Sequence, residues 1–279
     1  MTASPFVSTE WLAAHLNDAD VAIIDASWYL PTMNRDGKKE FAEGHIPNAQ
    51  YFDIDAVADK STNLPHMLPS ADEFSHIVGV MGISDKDHII VYDGAGLFAA
   101  ARVWWTFKVM GAAHVSLLEG GAPQWKAEGR AWTNAPAQRA VKQFNAKFDA
   151  AAVADLATIK SCLQNKSAQI VDARPADRFK GDAPEPRPGL KSGHMPGSFN
   201  VPFGEVVKNG ALVDSASLQN AFTNAGVDLT KPVITSCGSG VSAAILALAL
   251  ETLGTPAQAL YDGSWAEWGG RDECDVVKR

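Results

Sequence analysis

Short apolar segments alternate with stretches of helical periodicity along both halves of this 279-residue chain. Buried strands are predicted for the apolar runs at residues 21–26, 88–92, 169–173 and 231–235. Helical patterns follow two of these runs: one begins after Asp93 and runs through Arg102 to Met110, the other covers residues 241–253, and each stops at a glycine suited to a helix C-cap. The alternation predicts an α/β fold, with a central, mostly parallel sheet that has helices on both faces.

The same features recur in the same order in the two halves, which indicates an internal duplication. Each half carries an apolar strand ending in Asp-Ala, a Gly-His-x-Pro motif, a second apolar strand, and an acidic-Gly pair followed by a tryptophan. The acidic residues Glu119 and Asp262 are 143 positions apart. In this alignment Asp93 of the first half stands where the second half has Cys237.

The duplication predicts a two-domain chain. We expect a non-catalytic domain at residues 1–135, because Asp93 replaces the thiol there, and a catalytic domain at residues 150–279. A weakly periodic stretch containing asparagine, glutamine and lysine, residues 136–149, is expected to connect them. In open α/β sheets, reactive groups collect beyond the carboxyl ends of the strands, where both Asp93 and Cys237 fall.

Composition and charge limit the cellular compartments and the binding partners expected for this chain. Three cysteines in a chain of this length argue against a disulfide framework and for a reducing compartment. There is no run of about 20 apolar residues and no recognisable targeting segment, so a cytoplasmic protein without membrane attachment is expected. The formal charge of −8 disfavours non-specific nucleic-acid binding. Separately, we expect the protein to be a monomer.

The turn around Cys237 carries the most specific candidate chemistry. It joins a predicted strand to a predicted helix and contains Gly238 and Gly240, which allow tight backbone conformations. Backbone N–H groups and the positive end of a helix dipole can there stabilise a thiolate, the nucleophilic form of cysteine. The other cysteines, Cys162 and Cys274, are expected to be buried apolar residues.

The repeated Asp-Ala and Gly-His-x-Pro motifs, the cysteine loop and Asp-Gly-Ser-Trp-x-x-Trp at residues 262–268 resemble the two-domain rhodanese-type sulfurtransferases over nearly the whole chain. The loop is most similar to that of the 3-mercaptopyruvate sulfurtransferases. Thiosulfate-specific rhodaneses usually carry Arg-Lys where this chain has Gly238-Ser239, and Ser242 stands where threonine is commoner. The resemblance implies tandem rhodanese-like domains and transfer of sulfur from 3-mercaptopyruvate through a Cys237 persulfide.

The resemblance also implies roles for individual residues. Arg178 and Arg187 would bind the substrate carboxylate and carbonyl, which suits the planar guanidinium. Asp55 would orient His66, and His66 would contact Ser239 beside the nucleophile. The further substrate-binding positions are Gly238, Gly240, Val241 and Ser242. No cofactor is implied, and the acceptor would be cyanide, a thiol or a thioredoxin-like protein.

Other interpretations stay open at this point. A thiosulfate:cyanide sulfurtransferase would use the same thiol, although its donor is a dianion that favours cationic side chains in the loop. A phosphatase of the Cdc25 type would need a wider loop, normally closed by an arginine, and a catalytically silent interaction module would not need Cys237. No metal site is expected, because histidines and cysteines lack ligand spacing. His45 and His194 occur in both halves and are expected to fix turns.

Overall fold

A computed structural model describes residues 4–279, which divide into two compact units. The first unit holds the residues up to Asp59 together with Leu68–Asp149 and Asn209–Ala211. The second unit holds Lys60–Met67, Ala150–Lys208 and Leu212–Arg279. The expected connecting stretch, residues 136–149, therefore lies within the first unit. The short segment Lys60–Met67, by contrast, is separated from its sequence neighbours and groups with the second unit.

The first unit is an α/β domain with ten regular elements, besides a 3-10 turn at Pro31–Met33. In chain order they are β1 (Phe6–Val7), α1 (Thr9–His15), β2 (Val21–Asp25), α2 (Gly37–Glu43), β3 (Ala49–Tyr51), α3 (Ala71–Val80), β4 (His88–Tyr92), α4 (Ala99–Val109), β5 (His114–Leu118) and α5 (Gly121–Ala127). The five strands form one sheet in the order β1-β5-β4-β2-β3, and every neighbouring pair is parallel.

The second unit repeats this plan after a 3-10 turn at Ala150–Ala152. Its elements are β6 (Val153–Ala154), α6 (Leu156–Asn165), β7 (Gln169–Asp172), α7 (Ala176–Lys180), β8 (Phe199–Asn200), α8 (Phe203–Val206), β9 (Val207–Lys208), β10 (Ala211–Leu212), α9 (Ser215–Asn224), β11 (Val233–Ser236), α10 (Val241–Thr252), β12 (Ala259–Tyr261) and α11 (Ser264–Trp268), although the first residue of β10 groups with the first unit. The parallel sheet has the order β6-β12-β11-β7-β8, and β9 pairs separately with β10. The predicted α/β fold with tandem, mostly parallel sheets is confirmed.

The elements that flank the cysteine turn form as their sequences predict. The central strand β11 is buried along its whole length, as a strand covered on both faces must be. Helix α10 is apolar nearly all round, and residues 243–250 are all buried. It ends before Gly254, whose φ of +76° is the left-handed conformation typical of a helix C-cap. The corresponding helix of the first unit begins at Ala99, since helix-forming alanines precede Arg102.

His45 and His194 occupy equivalent positions in the two units. The His45 ring stacks on Phe41 with 4.0 Å between centroids, and the His194 ring stacks on Phe179 at the same distance. In each case Nδ1 lies within hydrogen-bond distance of the phenylalanine carbonyl oxygen, at 2.9 and 2.8 Å. These contacts fix the same turn in both units, as the duplication predicted. Within residues 4–279 no helix has the length and apolar character needed to span a membrane.

Candidate active site

Cys237 lies directly after β11 and is almost fully buried, with 1% of its surface exposed. The turn that follows includes the half-buried Gly238 and reaches Gly240, which caps helix α10 with a φ of +80°. The backbone can take this path because glycine enters the left-handed region without steric cost. Val241 is the first, buried residue of α10, and the half-buried Ser242 follows it in the first turn.

The start of helix α11 holds this turn by three hydrogen bonds. The Cys237 N–H donates to Ser264 Oγ at 3.2 Å. In the other direction, the Trp265 N–H donates to the Cys237 carbonyl and the Ala266 N–H donates to the Gly238 carbonyl, each at 2.9 Å. The peptide groups on both sides of the thiol residue are therefore fixed by one short helix.

His66 reaches this turn because the segment Lys60–Met67 belongs to the second unit. Its Nδ1 lies 3.1 Å from Ser239 Oγ and 3.3 Å from the Ser239 carbonyl oxygen, and both side chains are buried. A carbonyl oxygen can only accept, so the second contact requires the proton on Nδ1. The backbone of His66 is left-handed, with φ at +61°. This conformation is uncommon for a residue other than glycine and recurs at functional sites.

Two arginines face the same turn. Arg187 Nη2 donates to Ser239 Oγ at 3.4 Å. Arg178 Nη2 lies so close to Gly238 that a Cβ added to this glycine would be 3.4 Å away from it. The structure thus brings Cys237, Ser239, His66 and both predicted substrate-binding arginines to one turn.

Asp55 has a different setting from the other predicted site residues. It is exposed, belongs to the first unit, and accepts a hydrogen bond from Trp28 Nε1 at 2.8 Å. Its predicted role as the residue that orients His66 stays a prediction.

The sequence reasoning missed a buried network of ionised groups behind Arg178. The Glu185 side chain is only 1% exposed, and its carboxylate accepts a hydrogen bond from Arg174 Nη1 at 2.8 Å. The same carboxylate accepts from Nε and Nη2 of Arg178. Arg174 in turn pairs with Asp172 at 2.8 Å and lies over the ring of Trp265, 4.0 Å from its centroid. Burial alone would lower the pKa of Arg174, but the carboxylates of Asp172 and Glu185 outweigh it and raise the pKa.

The sequence analysis gives no role to three side chains that hold this site, namely Arg174, Glu185 and Ser264. For the first two the signal was the position of Arg174, two residues after a buried strand, because an arginine that becomes buried there needs a carboxylate partner. For Ser264 the signal was the repeat itself, which sets this serine against Gly121. Within residues 4–279, no group of three or more His, Cys, Asp or Glu side chains is arranged to hold a metal ion.

The first unit shows what the equivalent turn does when a carboxylate replaces the thiol. The Asp93 carboxylate accepts hydrogen bonds from the backbone N–H groups of Ala95, Phe98 and Ala100, at 2.9, 2.7 and 2.8 Å. Burial raises the pKa of Asp93, and these hydrogen bonds act in the opposite direction. This turn of the first unit therefore directs several donors at one anionic group.

Comparison with known proteins agrees with this geometry. The model of the rhodanese-like domain matches residues 8–128 and again residues 155–271. The chain is 42% identical to the 3-mercaptopyruvate sulfurtransferase of Escherichia coli (strain K12), over 99% of both chains. It is 39% identical to the mitochondrial thiosulfate/3-mercaptopyruvate sulfurtransferase 1 of Arabidopsis thaliana, over 99% of this chain and 78% of that protein. The crystal structure of SseA from Escherichia coli superposes with a TM-score of 0.87 at 40% identity, covering 95% of this chain and all of that one.

Proposed function

Because this chain belongs to the family of rhodanese-like sulfurtransferases, we propose that it transfers the sulfur of 3-mercaptopyruvate to an acceptor through a persulfide on Cys237. The observation that carries the proposal is the convergence on one hydroxyl, Ser239 Oγ, of His66 Nδ1 at 3.1 Å and Arg187 Nη2 at 3.4 Å, two residues from the thiol. A buried thiol, a basic ring and a guanidinium around one turn suit attack on an anionic sulfur donor.

The first half-reaction forms the persulfide. The Cys237 thiolate attacks the sulfur of 3-mercaptopyruvate, and an S–S bond forms while the C–S bond breaks. The electron pair stays on carbon as the enolate of pyruvate, which then takes up a proton. Backbone N–H groups of the turn stabilise the anionic sulfur, as those of the first unit do for the Asp93 carboxylate.

Ser239 supplies the proton in this scheme. Its oxygen accepts hydrogen bonds from His66 and from Arg187, so its own O–H points away from both and can donate to the enolate. His66 then passes its Nδ1 proton to the serine and takes up a proton from solvent, with Asp55 as the proposed orienting residue. The second half-reaction transfers the outer sulfur to cyanide, a small thiol or a thioredoxin-like protein and restores the thiolate.

Binding of the substrate carboxylate is assigned to Arg187 and Arg178. A guanidinium offers five N–H donors. Glu185 engages the Nε and Nη2 side of Arg178, and the remaining donors are left for the 2-oxo acid. Gly238, Gly240, Val241 and Ser242 line the turn and complete the proposed substrate-binding set.

A mass measurement tests the persulfide directly. Incubation with 3-mercaptopyruvate alone should release pyruvate and raise the mass of the Cys237 peptide by one sulfur atom. Cys237→Ser should give no adduct, whereas Cys162→Ser should behave like the parent chain, because Cys162 is buried in helix α6. Pyruvate formation without a sulfur adduct on Cys237 would exclude the mechanism.

The choice of donor is part of the proposal. Gly238 and Ser239 carry no charge, which favours 3-mercaptopyruvate over the thiosulfate dianion. Relative turnover of the two donors decides between them, and preference for thiosulfate would replace this assignment with a thiosulfate:cyanide sulfurtransferase. Loss of only 3-mercaptopyruvate turnover in Arg187→Ala would support carboxylate binding.

We also propose that the protein acts as a monomer in the cytoplasm. Cys162, Cys237 and Cys274 are all free thiols, which supports a reducing compartment. Sedimentation at micromolar concentration tests the monomer, and fractionation of the source cells tests the location.

A further inference from the structure

Ser264, at the start of helix α11, has an unfavourable backbone conformation. Its φ is +49°, in the left-handed region that favours glycine, and the residue is completely buried. An L-residue with a Cβ enters this region at a cost in free energy. Such a conformation persists only where the surrounding structure holds it, and it is found preferentially at functional sites.

The duplicated unit provides an internal comparison. Gly121 stands 143 positions earlier, the same offset as in the acidic-Gly motif, and has a φ of +54°. The next residue, Ala122, donates its N–H to the Asp93 carbonyl at 3.1 Å, as Trp265 donates to the Cys237 carbonyl. The two units thus share the backbone path, but the unit that lacks the thiol has glycine at the strained position. The serine is not needed to make the turn.

The Ser264 hydroxyl makes two hydrogen bonds, and one of them reaches the nucleophile. Oγ accepts from the Cys237 N–H at 3.2 Å and donates to the carbonyl of Tyr261, the last residue of β12, at 2.8 Å. Cys237 is buried, so without the serine its N–H would lose its acceptor. The hydroxyl links the backbone of the thiol residue to the end of a neighbouring strand.

We propose that Ser264 is a positioning residue, which orients the Cys237 thiolate for attack by holding its backbone N–H. The proposal rests on the function of Cys237 as the sulfur carrier. The neighbouring Trp265 fixes the carbonyl of the same residue. With both peptide groups held, the direction of the Cα–Cβ bond and hence the path of the sulfur are set.

Two variants separate positioning from simple stability. Ser264→Ala keeps the Cβ and the strained backbone but removes the hydroxyl. Ser264→Gly also removes the hydroxyl, but relieves the strain and restores the residue found in the first unit. We expect Ser264→Gly to have the higher melting temperature of the two. We also expect both to lose about tenfold in the rate of persulfide formation from 3-mercaptopyruvate.

A matched control is available in the same unit. Ser198 Oγ donates to the carbonyl three residues earlier, Met195, at 2.7 Å, as Ser264 does to Tyr261. Ser198→Ala therefore removes the same kind of hydrogen bond without touching the cysteine turn, and its rate should equal that of the parent chain.

Alkylation of Cys237 by iodoacetamide, followed on its peptide across pH, provides a readout that needs no sulfur donor. Both Ser264 variants should show a changed pH profile of the alkylation rate, and Ser198→Ala should not. A parent-like alkylation profile, or rates that follow the melting temperatures of the variants, would overturn the positioning role. If the parent chain forms no persulfide, the proposed function fails, while the alkylation profile still reports on Ser264.

Discussion

The buried carboxylate of Glu185 provides the strongest test of how this site is held together. Glu185 joins Arg174 and Arg178, and Arg174 is also paired with Asp172. The exposed fractions of these side chains are 1% for Glu185 and Arg174, 0% for Asp172 and 17% for Arg178. The four formal charges sum to zero. Glu185→Gln keeps the size of the side chain but leaves the group with one uncompensated positive charge.

Removing one partner of a buried ion pair costs roughly 3–5 kcal/mol, because the other charge stays out of water. Arg174 retains Asp172, so we expect Glu185→Gln to lose about 3 kcal/mol of unfolding free energy, the low end of this range. The change should also release Arg178. Ordering a free arginine on substrate binding costs roughly 1 kcal/mol, which corresponds to an increase of about fivefold in the KM for 3-mercaptopyruvate.

The assay is urea unfolding of the full chain, with hydrogen exchange of the β7 and β2 amides to assign the loss to one unit. The control is Glu40→Gln in the first unit. Glu40 also pairs with an arginine, Arg35, through two contacts of 2.7 and 2.6 Å. About a third of each side chain is exposed, and so we expect a loss of no more than about 1 kcal/mol. Equal small losses in the two variants would refute the argument that burial makes the Glu185 network strong.

Two further predictions concern the carboxylates of the first unit. Burial raises the pKa of Asp25 from 3.8 to about 6. The folded state therefore holds a proton that the unfolded chain has already released between these values, and the free energy of unfolding should fall by about 2.4 kcal/mol as the pH rises from 4 to 7. Calorimetry from pH 4 to 7 measures this slope, which Asp25→Asn should remove; an unchanged slope in the variant would contradict the assignment. Asp93→Ala leaves the buried N–H groups of Phe98 and Ala100 and the partly buried N–H of Ala95 without their acceptor, and should destabilise the first unit by several kcal/mol, at about 1–3 kcal/mol for each buried group. The Cys237 adduct should still form at a temperature where the variant is folded, and its loss there would show that Asp93 itself contributes to the chemistry.

Much of the fold followed from local patterns. The strand β11, the glycine turn and helix α10 were each visible as a change of hydrophobic period around Cys237. The contact between His66 and Ser239, by contrast, could not be predicted from local patterns. These residues are 173 positions apart, and only the resemblance to a known family paired them. No periodicity indicates that Lys60–Met67 groups with the second unit, because long-range packing alone decides where such a loop lies.

The charged residues show the same division. The sequence shows that Arg174 and Glu185 are present, but it does not show whether these charged side chains lie on the surface or form a buried pair. Their importance comes from exposed fractions near 1%, which depend on every element packed around them. Ser264 is similar, since its left-handed backbone is imposed by the turn between β12 and α11 rather than by serine's own preference.

The sequence by itself determined the duplicated α/β architecture, the turn that carries Cys237 and the family to which the chain belongs. Hydrophobic periodicity, the positions of glycines and the order of motifs can all be read directly from the amino-acid sequence. Only the tertiary structure decided which groups hold the thiol and the arginines. Burial, hydrogen-bond partners and backbone strain arise when distant segments pack together, as Ser264 and Glu185 do around the turn of Cys237.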